Sequence, residues 1–206
     1  MISKFDMKRR SFLIATGAVA LAAALAAQTP SPAAAPPAHL SQAGQIQSQY
    51  NVIKSNLTKL ADRMPDEGYA FQPVHDTRTF AQGVAHTAAV NFSMCANLTG
   101  KPNPKTGVDL EKTLTTKADA VQALRESFAF CDEYMTHLSP ETLAATYAGT
   151  AVRGTERTPI QVERGGLAGN LIAHNNEMYG YLAVYLRMKG LVPPSSEPRG
   201  GRGGGR

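Results

Sequence analysis

Cysteine is scarce in this chain of 206 residues, which has only two. Two cysteines exclude a disulfide-rich scaffold and a cysteine-rich zinc module. An excess of one charge is also absent from the middle of the chain. Residues 1–27 carry a net charge of +3 and residues 195–206 carry +2, whereas residues 28–194 have equal numbers of basic and acidic side chains. A folded segment without net positive charge is a poor binder of polyanions, so we do not expect a nucleic-acid partner.

Long hydrophobic runs are also lacking, and the nearest candidate lies at the N-terminus. Lys8, Arg9 and Arg10 precede an apolar, mostly alanine run over 12–27. A membrane-spanning helix needs about 20 strongly apolar residues, so this run favours a cleaved signal peptide over 1–27. Arg9–Leu13 is similar to a twin-arginine export motif. We expect a periplasmic or secreted bacterial protein with no stable membrane span after cleavage; the alternative is an uncleaved N-terminal anchor.

The remaining chain divides by composition into a spacer, one domain and a tail. Residues 28–40 are rich in proline and alanine, which is typical of an extended spacer. Residues 196–206 are rich in glycine and arginine, and we expect a flexible tail there. The segment 41–195 has the length of one domain and is long enough to bury a core.

Strand signals are scarce in this domain, whereas apolar residues recur at helical spacing. The spacing predicts helices over 42–63, 78–99, 115–138 and 166–189, with a short helical turn over 140–147. Four helices of about 20 residues are the parts of an all-α four-helix bundle. The connection over about 100–114 is long enough to run the length of the bundle, so the third helix can begin parallel to the second.

Motifs of common enzyme classes are missing, and two histidines remain as the main candidates for chemistry. The sequence has no phosphate-binding loop pattern and no Gly-x-Ser-x-Gly. His86 lies in the second predicted helix among small residues, and His174 lies on the apolar stripe of the last helix. Histidines on separate helices can converge inside a bundle and hold a metal. Spacing alone favours two hydrogen-bonded core histidines, because a metal site needs a third ligand.

Four segments resemble one family of helical bundles. The segments are Thr79–His86, Asn91–Cys95, Phe128–Asp132 and Ile172–Gly180. They resemble the DinB/YfiT-like superfamily, and in particular its exported bacterial members, over about residues 42–195. The resemblance implies a four-helix bundle, often in up-down-down-up order.

The resemblance also implies a metal site. Members of this superfamily typically hold nickel or zinc with three histidines, one from the second helix and a His-x-x-x-His pair from the last. His86 and His174 match the first two ligands, but Met178 stands at the third position. A thioether is a poor ligand for zinc or nickel and an acceptable one for copper(I). Glu177 and His75 are other candidates for completing the site, although the family pattern does not include them.

Two hypotheses for function follow, and they belong to different classes. The first is a divalent-metal-binding protein with an incomplete histidine site that acts on an unknown small molecule. Its relatives include metal-dependent thiol transferases and isomerases, but export and Met178 both weigh against that activity. The second hypothesis is a non-catalytic binding or structural bundle whose metal site has decayed and holds no metal, with Met178 as a packing residue. The sequence leaves open whether the protein is an enzyme, and it is compatible with a homodimer.

The two cysteines form a separate pair of interest. Cys95 and Cys131 lie at similar depths in the second and third predicted helices, so they are level if these helices run parallel. We expect a buried contact. The sequence leaves open whether the contact is a disulfide or two packed thiols.

Overall fold

The computed structural model describes residues 40–198. The predicted signal peptide, nearly all of the spacer and the tail from residue 199 lie outside the described residues. Among the described helices, none is long and apolar enough to cross a membrane. The elements are the long helices α1 (Gln42–Arg63), α2 (Phe80–Thr99), α4 (Lys117–Met135) and α6 (Arg164–Met188), the short helices α3 (Leu110–Thr113) and α5 (Pro140–Ala144), and the strands β1 (Thr146–Arg153) and β2 (Glu156–Glu163).

The helix ends follow local sequence signals. The Ser41 hydroxyl accepts a hydrogen bond from the Gly44 N–H at the start of α1. Thr79 and Gln82 form a capping box at the start of α2. Gly100 ends α2 with a φ of 74°, a conformation that glycine adopts without steric cost. These caps explain why the predicted bounds of the long helices lie within three residues of the observed ones.

Side-chain pairs show that α2 and α4 run parallel. Asn91 donates to Ser127, and Cys95 is bonded to Cys131 one helical turn further along both helices. The two pairs have the same sequence separation of 36 residues. A constant separation means that both helices advance in the same direction, as the long connection over 100–114 predicts.

The other helix pairs run antiparallel. Between α1 and α4, Tyr50 contacts Asp132 and Asp62 contacts Arg125, so the partner number falls as the α1 number rises. Between α2 and α6, His86 contacts His174, and Arg164 donates to the carbonyl of Asn97. The four long helices therefore have an up-down-down-up order.

The core lies between the four long helices. Gly83 lets α2 approach α6 closely, because a Cβ atom there would lie 2.7 Å from Cδ2 of Leu182. The largest fully buried side chains include Tyr50, Tyr69, Tyr185, Phe80, Phe128, Ile53, Leu57, Leu60, Met64, Leu98, Leu124 and Met135.

Cys95 and Cys131 form a disulfide within this core. Both side chains are fully buried, and their Cα atoms lie 5.1 Å apart. The predicted contact is confirmed, and of the two alternatives the structure has the bond. The bond joins the two parallel helices α2 and α4 directly.

A β-hairpin corrects the prediction of a purely helical domain. Strands β1 and β2 pair in antiparallel register from Thr146 opposite Glu163 to Arg153 opposite Glu156. Gly154 in the connecting turn has a φ of 59°, which fits a glycine at the first position of a type II′ turn. Most of the strand residues are exposed, so they show no apolar alternation, which is the usual signal of a strand. The predicted helical turn over 140–147 is correspondingly shorter and ends at Ala144.

Candidate metal centre

The two candidate histidines meet at the interface of α2 and α6. Nε2 of His174 lies 3.4 Å from Nε2 of His86, and the ring centroids are 5.3 Å apart. This separation is long for a hydrogen bond. Two nitrogen ligands at about 2.0–2.1 Å from one tetrahedral ion lie about 3.3–3.4 Å apart. The spacing of the two nitrogens is therefore that of two ligands of a single metal ion.

Glu111 orients the imidazole of His86. Its Oε1 atom lies 2.7 Å from Nδ1 of His86. A carboxylate accepts hydrogen bonds, so it assigns the ring proton to Nδ1 and leaves the lone pair on Nε2. Glu111 reaches the site because Asp109 caps the short helix α3, in the long connection between α2 and α4. The arrangement is that of a carboxylate that supports a metal-ligating histidine.

Arg78 holds Glu111 in turn. Its Nε atom donates to Oε2 of Glu111 at 2.7 Å, and its Nη2 atom lies 3.4 Å from Oε1. Although burial alone raises the pKa of Glu111, hydrogen bonds from Arg78 and His86 lower that pKa below its ordinary value. Glu111 is therefore an ionised acceptor at neutral pH. Nη2 of Arg78 also lies 3.3 Å from Nδ1 of His86, but the shorter contact to the carboxylate decides where the ring proton sits.

Two tyrosines of α6 fix the backbone of Arg78. The Tyr185 hydroxyl donates to the Arg78 carbonyl at 2.8 Å, and the Arg78 N–H donates to the Tyr181 hydroxyl at 3.2 Å. The two hydroxyls hydrogen-bond each other and close a ring of three bonds. Burial is the main cause that raises the pKa of Tyr185 to about 12, so this hydroxyl keeps its proton at neutral pH. The ring positions the guanidinium that holds Glu111.

An open cleft of about 610 Å³ lies against this cluster. Glu111 lines the cleft and also contacts Nδ1 of His86, so the cleft adjoins the histidine pair through this carboxylate. The residues that line it are Asp76, Thr77, Arg78, Gln82, Glu111, Glu177, Met178 and Tyr181.

Met178 stands where the resemblance places a third ligand. It lies four residues after His174 on α6, so the two side chains project from the same face of the helix. Met178 is buried, with 5 % of its surface exposed, and it also lines the cleft. Within residues 40–198, no group of three His, Cys, Asp or Glu side chains is placed to hold a metal.

The other predicted candidates, His75 and Glu177, are both exposed. His75 is fully exposed, and its Nδ1 atom lies 3.1 Å from Asp76. Glu177 is exposed and lines the cleft. Nδ1 of His174 is buried and has no hydrogen-bond partner among the described side chains and backbone, so His174 lacks the support that Glu111 gives His86.

Sequence reasoning missed Arg78 and Glu111. Arg78 is 8 residues from His86, and Glu111 is 25 residues from it. Glu111 lies in the connection over 100–114, which has no extended helical pattern. The only available signal was local: Asp109 before Leu110 and Glu111 is an N-cap followed by an acidic first turn.

The burial of His174 predicts a pH dependence of stability. Burial, followed by repulsion from His86, lowers the pKa of His174 below its ordinary value. The unfolded chain therefore takes up a proton at a higher pH than the folded chain does. We expect the free energy of unfolding of metal-free protein to fall as pH drops below about 6.5. Urea denaturation at pH 7.5 and 5.5 measures this loss, and a His174→Gln variant that loses as much as wild type would contradict the assignment to His174.

Comparisons with known proteins identify the family of the chain. A family model described as the DinB superfamily matches residues 49–177, which is more than half of the chain. A DinB-like protein of Bacillus subtilis, YjoA, has a solved structure that aligns at 19 % identity with a TM-score of 0.46, covering 71 % of this chain and 92 % of that one. Among curated proteins, none matches the chain significantly. The family-model match confirms the predicted resemblance: the chain belongs to the DinB superfamily.

Proposed function

We propose that this protein binds a transition-metal ion through His86 and His174 and presents it to small molecules that enter the adjacent cleft. The observation that carries the proposal is the 3.4 Å separation of the two Nε2 atoms. A hydrogen bond between the two rings would also bring these nitrogens together, but 3.4 Å is long for such a bond and matches the spacing of two ligands of one ion. The Nδ1 contact to Glu111 supports the proposal, because it directs a lone pair of His86 to that point.

The residues present fit a metal with two firm protein ligands and open positions. A bound metal ion would supply a Lewis acid that polarises a ligand atom or lowers its pKa. Glu111 would keep Nε2 of His86 free to ligate, and Arg78 would keep Glu111 ionised and in place. The cleft would admit the small molecule.

Export is the second part of the proposal. The signal-peptide pattern over 1–27 predicts delivery to the periplasm or the exterior. The buried Cys95–Cys131 bond supports export independently, because structural disulfides form and persist in oxidising compartments.

A non-catalytic bundle with a decayed site is the competing function. Two observations favour it: Met178 replaces the third histidine, and His174 has no partner for its Nδ1 atom. On this hypothesis the two histidines only share a proton between their Nε2 atoms, and added metal finds no specific site.

Metal titration separates the two functions. We expect purified protein, stripped with chelator, to take up one equivalent of Ni²⁺ or Zn²⁺, and both His86→Ala and His174→Ala to abolish this uptake. Glu111→Gln should weaken binding by about 10- to 100-fold, since outer partners of ligating histidines contribute that much. Isothermal titration calorimetry measures stoichiometry and affinity together.

His75→Ala is the matched control, because His75 is a fully exposed histidine outside the site. It should bind like wild type. Uptake that survives in both His86→Ala and His174→Ala would refute the proposal, as would the absence of specific uptake of any transition metal by wild type.

A further inference from the structure

We propose that Met178 is the third ligand and that the site therefore selects copper(I) over zinc and nickel. This inference depends on the proposed function, because it takes metal binding by His86 and His174 as given. It adds the identity of the ion and the role of a residue that the sequence left as either a ligand or a packing side chain.

The placement of Met178 is the first argument. Residues four apart on a helix are neighbours on one face, so the Met178 side chain lies beside that of His174. Met178 and Glu111 line the same cleft, and Glu111 contacts His86. The thioether and the supporting carboxylate therefore face one cleft, and each adjoins one of the two histidines.

The packing of Met178 is the second argument. A methionine that only filled core space would be part of the apolar core. Met178 has 5 % of its surface exposed, yet it belongs to neither of the two clusters of buried apolar residues among residues 40–198. Its helix neighbours Tyr179 and Leu182 belong to the main cluster. Met178 is thus largely withdrawn from water at the edge of the cleft, outside the two main apolar clusters.

The chemistry of the donor set is the third argument. Two imidazoles and a thioether are neutral, and a thioether is a soft donor that favours copper(I). Zinc and nickel sites gain little from a thioether, which leaves them with two effective ligands. Glu111 and Arg78 form an ion pair beside His86, and Glu177 is a further carboxylate whose charge acts on His174. The softness of this donor set therefore favours copper(I) over the borderline ions Zn²⁺ and Ni²⁺.

Competition with a colorimetric copper(I) chelator, bicinchoninate, tests the inference on the full-length purified protein. The assay is run without oxygen, with ascorbate as reductant, and Zn²⁺ and Ni²⁺ are titrated in parallel. We expect one copper(I) per chain and binding that is tighter than that of Zn²⁺ or Ni²⁺.

Met178→Leu should weaken copper(I) binding by at least about 10-fold, since even outer partners of a metal site are worth that much. The same variant should leave the Zn²⁺ and Ni²⁺ affinities within about 2-fold of wild type, because leucine replaces methionine at nearly equal volume.

The outcomes distinguish this inference from the proposed function. If copper(I) binding needs His174 but is unchanged in Met178→Leu, the thioether is not a ligand, and only the inference is overturned. If Zn²⁺ or Ni²⁺ binds through the histidines more tightly than copper(I), the inference is again overturned and metal binding remains. If none of the three ions binds specifically, both proposals are refuted. Circular dichroism of Met178→Leu checks that the variant is folded, and a copper–sulfur distance in X-ray absorption of the wild-type complex gives a second test that needs no variant.

Discussion

We expect the double variant Cys95→Ala/Cys131→Ala to lose about 4 kcal/mol of its free energy of unfolding, the value for a closed loop of this length. The bond joins residues 36 apart in sequence, on two parallel helices whose connection runs the length of the bundle. Removing the bond opens the loop that it closes in the unfolded chain. The conformational entropy of the unfolded state therefore rises, and the folded state becomes less stable relative to it. Because native domains are stable by only about 5–15 kcal/mol, such a loss is a large share of the total.

Urea denaturation of oxidised wild type and of the double variant measures this loss. Reduced wild type is the control: reductant should destabilise wild type and leave the double variant unchanged. Equal stability of wild type with and without reductant, with free thiols detected in both, would show that the two sulfurs are packed but not bonded.

The second large effect is expected for Met178→His. This change places a second imidazole of α6 four residues after His174, which creates the His-x-x-x-His pair that the resemblance implies. We expect the affinity for Zn²⁺ and Ni²⁺ to rise by at least about 10-fold, because a third protein ligand is what tetrahedral metal sites with an open position normally have. Copper(I) affinity should fall, because a soft donor is lost.

Calorimetric titration of the two ions into wild type and Met178→His measures the change. Adding His174→Ala to Met178→His is the control, and it should remove most of the gain, because the two ligands act on one ion. A Met178→His variant that gains no affinity would mean that residue 178 does not face the ion that the two histidines bind. Specific binding that is absent from wild type and appears only in Met178→His would support the decayed-site hypothesis.

The long helices and the histidine pair were accessible from sequence because their signals are local and periodic. Apolar residues at helical spacing predict the helices, and the structure shows Ser41, Thr79 and Gly100 at their ends. His86 and His174 stand out because each is a titratable side chain on a helix face that otherwise carries only apolar or small residues. Their convergence still depended on the helix order, which the long connection between α2 and α4 indicated.

The hairpin and the support of His86 were not accessible in the same way. Most residues of both strands are exposed to solvent. The strands therefore lack the alternation of apolar and polar residues that identifies a half-buried strand in a sequence. Glu111 acts on His86 across 25 residues, and nothing in a short window identifies such a contact. The sequence could not decide between a disulfide and two packed thiols. That choice depends on the distance between the two helices, which the spacing of apolar residues does not give.

The most direct test of a shared metal site is anomalous diffraction from crystals grown with Cu(I), Ni²⁺ or Zn²⁺. Metal binding by His86 and His174 predicts one anomalous peak, within about 2.0–2.1 Å of Nε2 of both rings for Ni²⁺ or Zn²⁺. A map in which the two Nε2 atoms remain in direct contact, with metal absent or bound only elsewhere on the surface, would contradict it.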